Sequence, residues 1–434
     1  MSGPATASCA ARRWRAGALR FLCGLGLLAP CRPNALSGQT PTPADSATAP
    51  SAQPERELKV FLMTFGPGRE VWERFGHNAL WIHDPADGSD LAYNYGLFDF
   101  HQHNFLLRFA RGQMWYWMAG YPAAAYIDQY ERDNRSIWIQ ELELPPRARI
   151  QLEEFLRWNA LPEHRYYHYD YYRDNCSTRV RDAIDRVLNG ALRRHTDTVP
   201  AHTTYRFHTQ RLTANDPVIF TALLAALGPG VDRPISAWEE MFLPLKMREW
   251  VRTMTVSGPD GRPIPLVRSE RTIFESTLPA PPDAPPHWIP WYLLLGAAIG
   301  GSVLALSRPA RSSAAARFGF LVLGGGWLVL AGLAGVVLAG LWGLTDHVMA
   351  YRNYNLFQLD PIALALVPAM VVAARRGTPA WGVKAAWLVV ALALIGLALE
   401  VIPGSGQVNG PIIALALPAH AGVAAALTRL ASRP

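Results

Sequence analysis

Charged residues are scarce in this sequence. Asp, Glu, Lys and Arg make up 17% of its 434 residues, whereas soluble domains typically hold about 25%. The sequence also lacks an internal repeat and any block of Lys and Arg residues. A nucleic-acid interface is therefore not expected, despite the formal charge of +7. Residues 288–430 consist mainly of Ala, Leu, Val, Gly and Trp. This composition excludes a purely soluble enzyme, a disordered chain and a coiled coil.

Cysteine is rare as well. Three of the four cysteines fall within residues 1–37, where arginines precede a short apolar run and small residues at 35–37 suit cleavage. This pattern is typical of a secretory signal peptide, with an uncleaved anchor as the alternative. The exported chain would then keep only Cys176, which has no cysteine partner for an internal disulfide. Cys176 is either a small buried residue or a free reactive thiol.

Composition divides the rest of the chain. A Pro/Ser/Thr/Ala-rich linker, expected to be disordered, covers residues 38–54, and a mixed, aromatic-rich region covers 55–275. A Pro-rich hinge at 276–287 leads into the apolar region 288–430. That region holds five stretches close to the ~20 residues that a transmembrane helix needs: 288–306, 318–343, 356–374, 381–402 and 411–428.

Arginines predict how these stretches cross the membrane. The connections after the first, third and fifth stretches carry nearly all of them: Arg308, Arg311, Arg317, Arg375, Arg376, Arg429 and Arg433. The two other connections hold only Arg352 between them. Because positive residues favour the cytoplasmic side, this pattern predicts five spans with residues 55–275 outside the cytoplasm.

The region 55–275 is predicted to be α+β. Alternating apolar residues indicate strands at 59–65, 79–84, 91–96, 136–144 and 166–172, and helical spacing indicates helices at 101–130, 147–159 and 177–188. Cys176 then lies at the N-terminus of the last helix, four residues before Val180 in its apolar stripe. The positive end of the helix dipole is expected to lower the pKa of the thiol, and backbone N–H groups there can hold an oxyanion.

A thiol nucleophile needs a base, and the best-placed histidine is His77, which follows Gly76 and opens a predicted strand. The alternative is a structural histidine beside a tight turn. A third residue would orient the imidazole; Asn94 is the first choice, Asp99 the second, and Tyr95 is also possible. His101 and His103 resemble a metal pair without a nearby third ligand, so neither a metal nor a cofactor is expected.

Four stretches carry a resemblance to a known family: FGHNALWI (75–82), YNYGLFDF (93–100), YYHYDYYRDNCSTRVRD (166–182) and DHVMAYRNYNLFQLDP (346–361). They resemble the Lnb lipoprotein N-acyltransferases over roughly residues 57–430. The resemblance implies a circularly permuted papain-like α+β domain, with His before Cys, followed by a five-helix transmembrane bundle. It implies that Cys176 is the nucleophile and His77 the base.

The resemblance also implies acyl transfer from a phospholipid donor to a lipoprotein acceptor, on the periplasmic side of the bacterial inner membrane. Six polar residues are expected to contact substrate: Tyr95, Asp99, Asn175, Arg179, His347 and Asn355. Two other functions remain open. One is a membrane-tethered cysteine amidase or peptidase acting on cell-wall peptides. The other is a non-catalytic membrane scaffold in which Cys176 is merely packed.

Overall fold

The structure is a computed structural model that describes residues 57–99, 104–258, 260–402 and 406–431. The predicted signal peptide and linker lie outside these ranges, as do His101 and His103. The described chain consists of a mixed α/β domain followed by five apolar helices.

The N-terminal domain is built around β-strands. The strands are β1 (Lys59–Phe65), β2 (His77–Asp84), β3 (Ser89–Leu97), β4 (Trp115–Pro122), β5 (Ile137–Leu142), β6 (Tyr166–His168), β7 (Pro200–Thr204), β8 (Pro234–Ser236), β9 (Thr255–Ser257), β10 (Pro263–Pro265) and β11 (Val267–Phe274). Seven of them form a central antiparallel sheet in the order β11-β5-β1-β2-β3-β4-β6. Strands β7 and β8 form a separate pair, as do β9 and β10.

Helices cover both faces of this sheet. The helices of the domain are α1 (Phe105–Ala110), α2 (Ala123–Arg132), α3 (Pro146–Asn159), α4 (Cys176–Val187), α5 (Ala191–Thr196), α6 (Tyr205–Thr213), α7 (Pro217–Ala226), α8 (Ala237–Glu240) and α9 (Pro244–Thr253). On one face, α3, α4 and α9 bury residues such as Leu152, Ile184 and Met247 against the sheet. On the other face, α2 contributes Tyr126 and Tyr130 to a second apolar cluster. Burial of alternate strand residues on both faces fixes the register of the sheet.

The strands predicted at 59–65, 79–84 and 91–96 and the helices predicted at 147–159 and 177–188 are confirmed. The single helix predicted at 101–130 is wrong, because β4 lies between α1 and α2. Its aromatic residues favour a strand, and β4 completes the sheet by pairing with both β3 and β6. The strand predicted at 166–172 ends early. The Asp170 carboxylate accepts hydrogen bonds from the backbone N–H groups of Tyr172 and Arg173, and this forms a turn.

Five helical spans follow, each long and apolar enough to cross a membrane. They are formed by α10 (Ile289–Ser307), α11 (Ala314–Phe320) with α12 (Gly326–Leu344), α13 (Ile362–Arg376), α14 (Ala380–Val401) and α15 (Gly410–Arg429). A π-helical turn joins α11 to α12. Large apolar side chains such as Leu294 and Leu330 are about 60% exposed, as expected for surfaces that face lipid. The five predicted spans are therefore confirmed.

Small residues let α10 and α15 approach closely. A Cβ atom on Gly422 would lie 2.3 Å from the Cα atom of Gly300, so only glycine fits at this crossing. Apolar side chains gain little by leaving lipid, and close backbone packing of this kind is therefore a main source of helix association in membranes.

The two ends of the bundle differ. At one end, Arg429 donates to the carbonyl of Leu304 at 3.1 Å, and the N–H of Thr378 donates to the carbonyl of Leu430 at 2.9 Å. The arginine-rich connections therefore lie together. At the other end, the connection after α12 contacts the N-terminal domain, since the N–H of Asp346 donates to the carbonyl of Arg111 at 2.8 Å. Positive charge is thus concentrated away from the N-terminal domain, in agreement with the predicted topology.

Helix α7 belongs to the N-terminal domain in sequence but packs on the bundle. Its Phe220 and Leu224 join the apolar cluster of the membrane helices. The α7 C-terminus leaves carbonyl groups without helical partners. Asn353 donates to the carbonyls of Ala225 and Ala226 at 2.7 and 3.0 Å. These contacts fix the N-terminal domain, and the site within it, against the external end of the bundle.

Candidate active site

Cys176 is the first residue of α4, as predicted, and is half-buried. The preceding Asn175 caps the helix, because its side-chain oxygen accepts hydrogen bonds from the N–H groups of Ser177 and Thr178, each at 2.9 Å. The Thr178 hydroxyl in turn accepts from the N–H of Asn175 at 2.8 Å. This reciprocal cap holds the thiol at the start of the helix.

His77 opens β2, and Asn94 lies on the neighbouring strand β3. The side-chain oxygen of Asn94 and Nε2 of His77 form a short hydrogen bond. An amide oxygen only accepts, so Nε2 carries the proton in the neutral imidazole and Nδ1 is left as the proton acceptor. Asn94 therefore selects the tautomer that a base at this position needs.

Three side chains of the site border the space above Gly96. A Cβ atom on Gly96 would lie 3.3 Å from Cβ of Cys176, 3.9 Å from the hydroxyl oxygen of Tyr167 and 4.0 Å from Cε1 of His77. Gly96 has a φ of +89°, which favours glycine, and lies where the β3–β4 register shifts. This irregularity leaves room for a thiol, an imidazole and a phenol around one point.

Burial controls the charge state of both reactive groups. It raises the pKa of the Cys176 thiol to about 11, although the N–H groups of Asn78 and Ser177 and the positive charge of Arg135 act in the opposite direction. Burial also lowers the pKa of His77 to about 4, although the hydrogen bond that His77 donates to Asn94 acts in the opposite direction. The lowered thiol pKa predicted from the helix dipole is therefore wrong, because desolvation outweighs the dipole. At neutral pH the pair is an uncharged thiol and an uncharged imidazole.

Aromatic residues that the sequence analysis did not single out surround the pair. Phe65 and Tyr130 stack on each other with ring centroids 3.7 Å apart. The imidazole of His77 packs beside this pair, with its centroid 6.1 Å from Phe65 and 6.2 Å from Tyr130. Arg135 lies over the Tyr130 ring at 4.7 Å. The ring of Tyr169 lies 6.5 Å from that of Tyr167 and 6.0 Å from that of Tyr171, and the period-2 spacing of these tyrosines is the sequence signal that could have grouped them.

Two residues predicted to contact substrate form hydrogen bonds within the fold. The side chain of Asn175 is buried, and it donates to the carbonyl of Phe242 at 3.0 Å while it caps α4. Tyr95 is 1% exposed and donates its hydroxyl to Asn159 at 2.8 Å. Its side chain points to the opposite face of β3 from Asn94, because neighbouring strand residues alternate. The predicted substrate contact of these two side chains stays a prediction.

Asn355, a third residue predicted to contact substrate, also forms hydrogen bonds within the fold, and its predicted role stays a prediction. It is fully buried and donates to the carbonyls of Leu224 and Ala225 at 3.1 and 2.9 Å, so it completes the cap of α7. His347 donates from Nε2 to the carbonyl of Phe109 at 2.9 Å, at the junction of the two domains. Its predicted substrate contact stays a prediction.

Arg179 and Asp99 also keep their predicted roles as predictions. The guanidinium of Arg179 is paired with Asp174 and lies 4.3 Å from the centre of the Tyr167 ring. Asp99 is exposed beyond the end of β3, and the position beside the imidazole is taken by Asn94. Within the described ranges, no group of three His, Cys, Asp or Glu side chains is arranged to hold a metal ion.

Two family profiles match the sequence. The Lnb N-terminal periplasmic domain matches residues 51–211, and the Lnb transmembrane domain matches residues 314–429. No curated protein and no solved structure matches the chain. The first match contains His77, Asn94 and Cys176, and together the two matches cover more than half of the sequence. The chain belongs to the Lnb family of lipoprotein-modifying membrane enzymes, with a periplasmic domain followed by a transmembrane domain.

Proposed function

We propose that the protein is a lipoprotein N-acyltransferase. It moves a fatty acyl chain from a phospholipid to the α-amine of a diacylglyceryl-cysteine lipoprotein, through a thioester on Cys176. The observation that supports this is the convergence of a thiol, an imidazole and an orienting amide above Gly96. The domain that carries them is fixed to five apolar helices.

The first half-reaction is thiol attack on the phospholipid ester. Nδ1 of His77 accepts the thiol proton as the sulfur bonds to the ester carbonyl carbon. The raised pKa of the Cys176 thiol and the lowered pKa of His77 disfavour a resting ion pair, so proton transfer accompanies attack. The ester C–O bond then breaks, the lysophospholipid alkoxide takes the proton from His77, and the acyl chain remains on sulfur.

The second half-reaction regenerates the thiol. The lipoprotein amine attacks the thioester carbonyl, the C–S bond breaks, and the proton lost by the amine returns to sulfur through His77. Water would compete with the amine for this thioester. Packing of Phe65 and Tyr130 against the imidazole limits access of water from that side of the sheet.

The position of the site suits a substrate held in a membrane. The ring of Tyr169 lies 6.5 Å from the ring of Tyr167, which borders the space above Gly96. It also lies 6.0 Å from the ring of Tyr171, and Tyr171 stacks on His347 at 6.2 Å. His347 is in the connection that follows α12. This row of rings runs from the site to the external end of the bundle. Helix α1, which lies beside this row of rings, exposes the side chains of Leu107 and Phe109. Holding enzyme and both substrates in one membrane raises their encounter frequency.

Trapping the acyl-enzyme tests the proposal. The full-length protein is incubated with vesicles of phosphatidylethanolamine and phosphatidylglycerol, digested and analysed by mass spectrometry. We expect a hydroxylamine-sensitive acyl adduct on the peptide that contains Cys176, and no such thioester in Cys176→Ser. In cells that depend on this protein, Cys176→Ser is expected to abolish N-acylation of lipoproteins.

Two other outcomes would favour the scaffold or the amidase over the acyltransferase. Full N-acylation in cells with Cys176→Ser would exclude thiol catalysis and favour a scaffold. Lack of an acyl adduct, together with cleavage of cell-wall peptides in the absence of lipid, would favour the amidase.

A further inference from the structure

The hydroxyl of Tyr167 is buried without a partner. The side chain is 6% exposed, and its hydroxyl oxygen has no hydrogen-bond partner among the described residues. A buried hydroxyl left unpaired destabilises the folded state. The orphaned group is located beside the point above Gly96 where Cys176 and His77 meet. A destabilising polar group of this kind at a reactive site is a candidate for function.

Three of the N–H groups at the start of α4 are already occupied. The N–H groups of Ser177 and Thr178 both donate to the side-chain oxygen of Asn175, and the N–H of Arg179 donates to the Asn175 carbonyl at 3.0 Å. The helix N-terminus therefore has fewer free N–H groups for a substrate oxygen than its position in the sequence predicts. The Tyr167 hydroxyl is a free donor at the same place.

We propose that Tyr167 is a catalytic residue that donates a hydrogen bond from its hydroxyl to the substrate's carbonyl oxygen as that oxygen becomes an oxyanion. This inference rests on the proposed function. When the sulfur of Cys176 bonds to the carbonyl carbon, the π electrons of the C=O bond move to oxygen. Tyr167 stabilises that negative charge without giving up its proton. When the C=O bond re-forms, the bond to the leaving alkoxide breaks, and His77 protonates the alkoxide.

The surroundings suit a donor. Burial raises the pKa of Tyr167 well above its usual range, so the phenol stays protonated throughout the reaction. The guanidinium of Arg179 packs on the ring face at 4.3 Å and is held by Asp174. The ring is therefore fixed before substrate arrives, which is what electrostatic stabilisation of an oxyanion requires.

Tyr167→Phe tests the proposal, with Tyr172→Phe as the matched control. Tyr172 is a buried tyrosine outside the site whose hydroxyl bonds to Thr209 at 2.9 Å. Two rates and one midpoint are measured on the full-length protein. The rates are those of single-turnover acylation of Cys176 by the phospholipid vesicles and of alkylation of Cys176 by iodoacetamide, and the midpoint is that of thermal denaturation. Alkylation reports on thiolate formation, which does not involve a carbonyl oxygen.

For Tyr167→Phe we expect acylation to slow by about 10²-fold, alkylation to change by less than about twofold, and the denaturation midpoint to stay equal or rise, because an unpaired hydroxyl is removed. Tyr172→Phe should lower the midpoint and acylate at the wild-type rate. Wild-type acylation in Tyr167→Phe overturns the proposal, as does an equal loss of alkylation or a midpoint as low as that of Tyr172→Phe. Absence of any acyl adduct on wild-type Cys176 overturns the proposed function itself.

Discussion

Asn94 accepts a hydrogen bond from Nε2 of His77, across the pairing of β2 with β3. This contact determines which imidazole nitrogen remains basic, because the amide oxygen requires a proton on Nε2. Asn94 itself is 3% exposed, so its side chain is held in one place. Its proposed role is to position His77 and not to touch substrate.

Asn94→Ala is expected to lower kcat by about 10–100-fold, which is less than the ~10²–10⁴-fold that a general base contributes. The imidazole would remain, but the tautomer with a basic Nδ1 would no longer be selected. The measurement is steady-state N-acylation by the full-length protein in phospholipid vesicles. KM for phospholipid should change little, and an unchanged kcat would show that Asn94 does not orient the base.

Asn94→Asp separates orientation from charge. A carboxylate still accepts from Nε2, but its negative charge favours the imidazolium and raises the pKa of His77. This variant should keep more activity than Asn94→Ala at pH 7.5. As the pH is lowered, it should lose that activity at a higher pH than the wild type does. If both variants behave alike, geometry alone does not explain the role of Asn94.

The acid limit of activity is expected to be unusually low. Only neutral imidazole accepts the thiol proton, so activity is lost as pH falls through the pKa of His77, which burial lowers to about 4. Between pH 7.5 and 5.5, kcat/KM should fall by less than about twofold, whereas a base with the ordinary pKa of about 6.5 would lose about tenfold. A tenfold loss over this range would mean that His77 is solvated in the free enzyme.

Local patterns in the sequence predicted much of the site but not its electrostatics. Period-2 and helical spacing correctly placed β2, β3 and α4, and therefore His77, Asn94 and Cys176. The helix position of Cys176 predicted a lowered thiol pKa, whereas burial raises it. Burial at this point comes in part from α2, a segment distant from Cys176 in the sequence, and a local pattern does not report it.

The docking of α7 shows the same limit. Asn355 is predicted to contact substrate, and polar groups near a membrane are costly enough to suggest a function. Its partners, like those of Asn353, are carbonyl groups of α7 that lie more than 120 positions earlier in the sequence. An apolar helix of ten residues is too short to span a membrane, and its composition alone does not show that it packs on the bundle.

Gly96→Ala is expected to abolish most activity for a local reason. The added methyl group would lie 3.3 Å from Cβ of Cys176 and fill the space between thiol and imidazole. The positive φ of Gly96 adds a strain of about 1–2 kcal/mol for any L-residue. We expect acylation of Cys176 to slow by about 10²-fold, as for a displaced reacting group, measured in a single turnover.

Gly88→Ala is the matched control for strain. Gly88 has a φ of +70°, and a Cβ atom there would have no neighbour within 4 Å. Both variants should lower the denaturation midpoint by similar amounts, while only Gly96→Ala loses acylation. Equal activity in the two variants would show that the space above Gly96 does not hold the reacting carbonyl.

Asn355→Ala is expected to weaken the junction between the domains and not substrate binding. The substitution leaves buried carbonyls of α7 with fewer donors, and each buried polar group left unpaired costs about 1–3 kcal/mol. Leu224 keeps a hydrogen bond from Arg206 at 3.2 Å, and Ala225 keeps one from Asn353, so the loss should fall near the lower end of that range. The midpoint of thermal denaturation should fall, while KM for phospholipid, measured well below that midpoint, stays within about twofold of wild type. A large rise in KM with an unchanged midpoint would instead support Asn355 as a substrate contact, because a headgroup ligand contributes to binding without holding α7 in place.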